Sequence, residues 1–101
     1  MATWTALGSA DSGTPVSYLN FADATVTVEG TFSTGGSCTL EGSNDGTNYY
    51  ALTDPQGNAI TKTAAGIELV TEAPRYYRPR CTAGDGSTAI QVRLLLRRGS
   101  R

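Results

Sequence analysis

The sequence predicts an all-β domain. Three observations carry that expectation: the composition, a two-residue alternation of apolar and polar side chains, and turn signals at roughly ten-residue spacing. Of 101 residues, 15 are Thr, 8 are Ser and 12 are Gly, while charged residues make up only 17%. Thr suits the pleated surface of a strand, and Gly suits the turns between strands. No segment of ten or more residues carries a helical repeat, because Gly, Pro or Asn-Asp clusters interrupt the chain. A chain of this length forms one domain and can bury one core without a metal or disulfide staple.

The first clear strand is 24–32, where Val26, Val28 and Phe32 alternate with Thr25, Thr27, Glu29 and Thr31. In 37–43, Cys38 and Leu40 face inward while Thr39 and Glu41 face outward. In 88–97, Ile90, Val92, Leu94 and Leu96 share one face, and Gln91, Arg93, Leu95 and Arg97 share the other. Each reads as a strand with one face on a core and one in water. Shorter strands are expected at 15–21, 48–53, 59–63 and 67–71. The segment 75–82 places Tyr77, Pro79 and Cys81 on one side and Tyr76, Arg78 and Arg80 on the other. Pro79 cannot donate to a ladder, so this strand must be an edge or be bulged there. About eight strands result, the pattern of a sandwich or barrel.

The turns are readable as chemistry. Thr34-Gly35-Gly36 and Asn44-Asp45-Gly46 suit tight hairpins, and Asp54-Pro55-Gln56-Gly57-Asn58 is a β-turn with Pro second and Gly fourth. Ala83-Gly84-Asp85-Gly86 links the last two strands. The domain is therefore expected over 15–97, between a flexible N-terminal arm at 1–14 and a frayed tail at 98–101. Trp4 lies in that arm, and a Trp rarely stays exposed without a use.

Composition removes several kinds of chemistry. With no His, there is no His-based acid–base pair, no His-activated nucleophile and no His-ligated metal. The run Asn44-Asp45-Gly46-Thr47-Asn48 has the oxygen-rich look of a calcium loop but lacks the closing Glu, so a hairpin turn is the better reading. Glu29, Glu41, Glu68 and Glu72 fall on outward strand positions rather than in a cleft, which leaves no acid pair for sugar hydrolysis. No phosphate-loop or nucleophile-elbow pattern occurs. The chain therefore reads as a non-enzyme with no cofactor and no metal. A net charge of −1 argues against a nucleic-acid module, and no apolar run is long enough to span a bilayer.

Cys38 and Cys81 have no metal-ligand spacing, and the N-terminus has no signal-peptide pattern. Synthesis in a reducing cytoplasm and two free, inward-facing thiols are expected. Adjacent tyrosines at 49–50 and 76–77 are expected to divide between the core and an interface.

Charge is divided along the chain. Residues 1–74 carry a net −7, and residues 75–101 carry a net +6 with seven Arg. Such polarity suits either a charged partner, including further copies of the chain, or cross-strand pairing within the fold. Arg78 and Arg80 share one strand face, and Arg93 and Arg97 share another. If those strands pair, four guanidinium groups cluster, an arrangement suited to carboxylate-rich protein surfaces. Self-association as a closed dimer or trimer is expected.

Two stretches carry a resemblance. The first is Val26-Thr27-Val28-Glu29-Gly30-Thr31-Phe32 followed by Cys38-Thr39-Leu40-Glu41-Gly42-Ser43-Asn44-Asp45-Gly46-Thr47-Asn48-Tyr49. The second is Leu52-Thr53-Asp54-Pro55-Gln56-Gly57-Asn58 with Glu72-Ala73-Pro74-Arg75-Tyr76-Tyr77-Arg78-Pro79. Together, over about residues 24–97, they resemble small β-sandwich virion proteins of tailed bacteriophages, with Tyr49 where that pattern often has Trp.

The resemblance implies an antiparallel β-sandwich of jelly-roll-like type. It also implies a capsid decoration or cement protein bound to the outside of the shell and bridging subunits of the major capsid protein. Trp4, Arg78, Arg80, Arg93 and Arg97 are the candidate capsid or oligomer contacts. The Ser43-Asn44-Asp45-Gly46 hairpin also resembles discoidin-like sugar-binding modules. The alternative is therefore a carbohydrate-binding or host-recognition module of a phage tail or fibre.

Overall fold

The computed structural model describes residues 2–8, 10–17, 23–32, 35–84 and 87–97. The expected tail at 98–101, residues 18–21 of the expected strand 15–21, Thr34, and Asp85-Gly86 of the last turn lie outside the described residues.

Among the described residues there are nine strands and no helix. They are β1 (Ala2–Leu7), β2 (Val16–Ser17), β3 (Asp23–Thr31), β4 (Ser37–Ser43), β5 (Tyr50–Ala51), β6 (Thr61–Lys62), β7 (Gly66–Val70), β8 (Tyr76–Ala83) and β9 (Ala89–Arg97). One sheet has the order β1-β9-β3-β7, and the other has β2-β8-β4-β5 with β6 also on β4. All the pairings are antiparallel. With β5 and β6 taken as two halves of one strand, each sheet has four members, and the chain changes sheet at every connection except the one from β4 to β5, as it does in a jelly roll. The all-β sandwich is thus present, and its order is the jelly-roll one.

The alternation read in the sequence becomes the core. Val26, Val28, Leu40, Ile90, Val92 and Leu94 are at most 3% exposed, and Leu96 is buried as well. Phe32, expected inside, is only half-buried against this cluster, because β3 ends at Thr31. The turn at 54–58 forms as read: Gly57 N donates to the Asp54 carbonyl at 2.9 Å, and Gly57 takes a φ of 85° that favours glycine.

The N-terminal arm is corrected by the structure. Residues 2–7 form β1, the edge strand beside β9, with Ala2, Trp4 and Leu7 buried. The register shifts between Trp4 and Leu7, where Ala6 adopts a φ of 55°. This bulge moves the inward positions from every second residue to 2, 4 and 7, so a period-two reading fails over this strand. The Trp4 indole N–H donates to the Thr14 carbonyl at 2.9 Å, tying β1 to the segment beside β8. Gly13 makes that packing possible: a Cβ there would lie 2.5 Å from Trp4 Cδ1 and 2.7 Å from Pro79 Cγ.

Pro79 sits at a bulge, one of its two expected settings. Ser12 opposes Arg80 and Val16 opposes Tyr77, so four steps on one segment match three on β8. The Pro79 carbonyl accepts from Gly13 N at 2.8 Å, and the shifted register accommodates its missing donor.

At the opposite edge, Lys62 of β6 and Glu68 of β7 form a 2.9 Å ion pair between the two sheets. Charges placed this way close the sandwich and discourage edge-to-edge pairing with another sheet.

Candidate functional site

The five residues singled out in the sequence do not form one site. Arg78 and Arg80 lie on β8 in one sheet, and Arg93 and Arg97 lie on β9 in the other. β8 and β9 do not pair, so the expected four-guanidinium cluster is absent; each pair faces out from its own sheet. Trp4 is a core residue, 8% exposed, and cannot act as a free anchor.

Cross-strand pairing neutralises part of the charge asymmetry. Arg78 pairs with its β4 neighbour Glu41 at 3.0 Å, and its guanidinium carbon sits 3.9 Å from the Tyr49 ring centroid. Arg80 reaches the same carboxylate at 3.9 Å. Arg93 pairs with Glu29 of β3 at 2.7 Å, and Arg97 stands opposite Asp23. The acidic first part and basic last part of the chain meet because β3 and β4 lie beside β9 and β8. Of the tyrosines, Tyr77 is in the core and Tyr50 is 72% exposed. Tyr49 stacks on Arg78, so neither ring of the 49–50 pair enters the core.

Two surface features remain. The first is the outer face of the β1-β9-β3-β7 sheet. Leu69, Thr25 and Leu95 lie in one cross-strand row, and Ile67, Thr27 and Arg93 lie in the next on the same face. Ile67 is 64% exposed, and Leu69 and Leu95 are each 44% exposed. Alternation identified Leu95 as outward, but the grouping with Ile67 and Leu69 depends on β7 pairing with β3.

The second feature is a cleft of about 430 Å³ at one end of the sandwich. Asn44, Asp45 and Asn48 of the β4–β5 hairpin line it, together with Tyr50, Glu72 and Pro74. The hairpin is locked by Asp45. Its carboxylate accepts the backbone N–H groups of Thr47 at 2.8 Å and Asn48 at 2.9 Å, the Ser43 hydroxyl at 2.9 Å and the Asn48 side-chain amide at 3.0 Å. These donors hold the Asp45 carboxyl well below the usual carboxylate range. Burial opposes ionisation of Glu72, but the Thr53 hydroxyl and backbone N–H donate to its carboxylate and hold its pKa below the ordinary value. Arg75 N donates to Asn44 Oδ1 at 3.1 Å, tying the hairpin to the segment after Pro74.

In comparisons with known proteins, the chain matches no family model, no curated protein and no solved structure.

Proposed function

We propose that this protein is a capsid decoration or cement protein of a tailed bacteriophage, a binding protein rather than an enzyme. In this reading it sits on the outside of the assembled shell and bridges neighbouring subunits of the major capsid protein. The observation that carries the reading is the outer face of the β1-β9-β3-β7 sheet, where Ile67, Leu69 and Leu95 stand exposed in register beside Arg93. Single exposed apolar side chains are ordinary, whereas three on one sheet face, spaced by threonines and beside charged residues, suit a protein interface. The jelly-roll frame also supports it, since that architecture recurs in viral capsid domains. Trp4 leaves the set of contacts, and Arg93 and Arg97 remain in it.

The mechanism is mass action. A protein that binds the assembled shell but not free subunits stabilises the shell. Association as a dimer or trimer multiplies weak contacts through avidity. Mixing purified shells with protein and sedimenting them tests this. Leu69→Asp is expected to lower occupancy at every salt concentration. Arg93→Glu with Arg97→Glu is expected to weaken binding most at low salt, because rim charges mainly steer association. A parent protein that stays in the supernatant overturns the reading.

The alternative, a carbohydrate-binding or host-recognition module of a tail or fibre, is favoured by one observation, the exposed Tyr50 in the end cleft. A parent protein that ignores shells but binds a glycan array decides for it.

A further inference from the structure

We propose that the end cleft is a binding site for a short neutral saccharide of one or two residues, with Tyr50 as the stacking platform and the hairpin amides as hydrogen-bonding groups. The site does not depend on the virion assignment, since it lies on a different part of the surface from the apolar sheet face.

Size and shape come first. A volume of about 430 Å³ lies within the range of small-ligand sites, commonly about 300–1,000 Å³. Among the described residues Tyr50 is the most exposed of the large hydrophobic side chains, at 72%, although it belongs to a strand paired with β4. A ring held on a strand and left open to water costs little entropy when it is covered. The C–H face of a pyranose is a fitting cover for an aromatic ring.

Polar chemistry comes next. Asn44 uses its side-chain oxygen on Arg75 N, and Asn48 uses its side-chain nitrogen on Asp45. Among the described residues, the Asn44 amide nitrogen and the Asn48 amide oxygen have no partner within the chain. They are one donor and one acceptor, the combination that neighbouring sugar hydroxyls require. The network around Asp45 and the tie from Asn44 to Arg75 set these groups before any ligand arrives, which reduces the ordering cost of binding.

Charge selects the class. Asp45 and Glu72 line the cleft, while among the described residues no Lys or Arg does. Their carboxylates stay ionised at neutral pH, so an anionic sugar would meet uncompensated repulsion. A neutral sugar would meet acceptors for its hydroxyls.

The test uses the whole chain and named probes. Cellobiose, maltose, lactose and chitobiose are titrated to tens of millimolar, with glucuronic acid and N-acetylneuraminic acid as anionic controls, while backbone amide NMR shifts are followed. At least one neutral disaccharide should shift amides within 44–50, and the two acids should not. Tyr50→Phe should bind like the parent, and Tyr50→Ala should bind roughly tenfold more weakly. Both variants should keep the parental melting temperature, because the ring is exposed. Three results overturn the proposal: no shifts with any neutral probe, equal affinity for Tyr50→Ala, or equal binding of the acids. Co-sedimentation of Tyr50→Ala with shells is read separately, so failure here leaves the shell assignment standing or falling on its own assay.

Discussion

Cys38 and Cys81 stand directly opposite each other on β4 and β8, both only 2% exposed. Directly opposed residues of antiparallel strands have Cα atoms about 4.5–5.5 Å apart, within the span of a disulfide. The redox state of the pair is therefore a matter of compartment, not reach. The structure holds both as free thiols. The neighbouring Cys81 thiol, and then burial, push the Cys38 thiol above its ordinary range. Thiol titration without reductant should count two after denaturation, with far slower labelling of the native protein. A count of zero after denaturation would show that the protein is isolated as the disulfide.

Trp4 joins the two sheets through Thr14, Gly13 and Pro79. Trp4→Ala should destabilise by about 3–5 kcal/mol, and Trp4→Phe by less, losing chiefly the indole hydrogen bond, worth about 1 kcal/mol. Deleting residues 1–12 should leave the chain unfolded or molten. Urea denaturation followed by Trp fluorescence, or by circular dichroism where Trp4 is absent, reads all three. A deletion that unfolds cooperatively with the parental midpoint would show that β1 contributes nothing.

Val92 is 1% exposed and lies between Trp4 of β1 and Val28 of β3. Val92→Asp buries an unpaired carboxylate at the centre of the sheet. The expected cost is several kcal/mol, on the order of the whole stability margin of about 5–15 kcal/mol. An unchanged melting temperature would contradict the core assignment.

The arginines should separate by environment rather than by position in the chain. Glu41 has a side chain only 12% exposed and depends on Arg78. Arg78→Ala should therefore cost about 1–3 kcal/mol. Arg80 and Arg97 are exposed, and Arg80→Ala or Arg97→Ala should cost about 0–1 kcal/mol. Equal losses for all three in denaturant melts would mean that the Glu41 pair has no special weight.

Acid stability follows from the cleft. Asp45 and Glu72 have folded pKa values below their ordinary 3.8 and 4.5. Depressed values mean that the unfolded chain takes up protons first. The stabilisation is complete above those ordinary values and is lost as pH falls through the folded ones. Melting temperature should begin to drop below about pH 4.5, and Asp45→Asn should flatten part of that drop. Carboxyl NMR should find Asp45 still ionised after exposed carboxylates have protonated. An Asp45 that titrates with the exposed carboxylates would remove the basis for the effect.

The sequence by itself determined the strands that obey a two-residue period. β4 was legible to its boundaries, and β3 and β9 to within a residue or two, because a strand with one wet face writes its burial directly into alternation. The 54–58 turn was legible too, since Pro and Gly act through local backbone angles. β1 was not legible, because the bulge at Ala6 breaks the period. Only the tertiary structure decided which strands are neighbours. Alternation states which side of a strand is buried and carries no information about its partner. Whether Arg78 meets Arg93 or Glu41, whether Leu95 meets Leu69 across Thr25, and whether Tyr50 stands over a cleft all depend on sheet order. Sheet order arises from contacts distant in sequence, where packing of the whole core, not the local pattern, selects the arrangement.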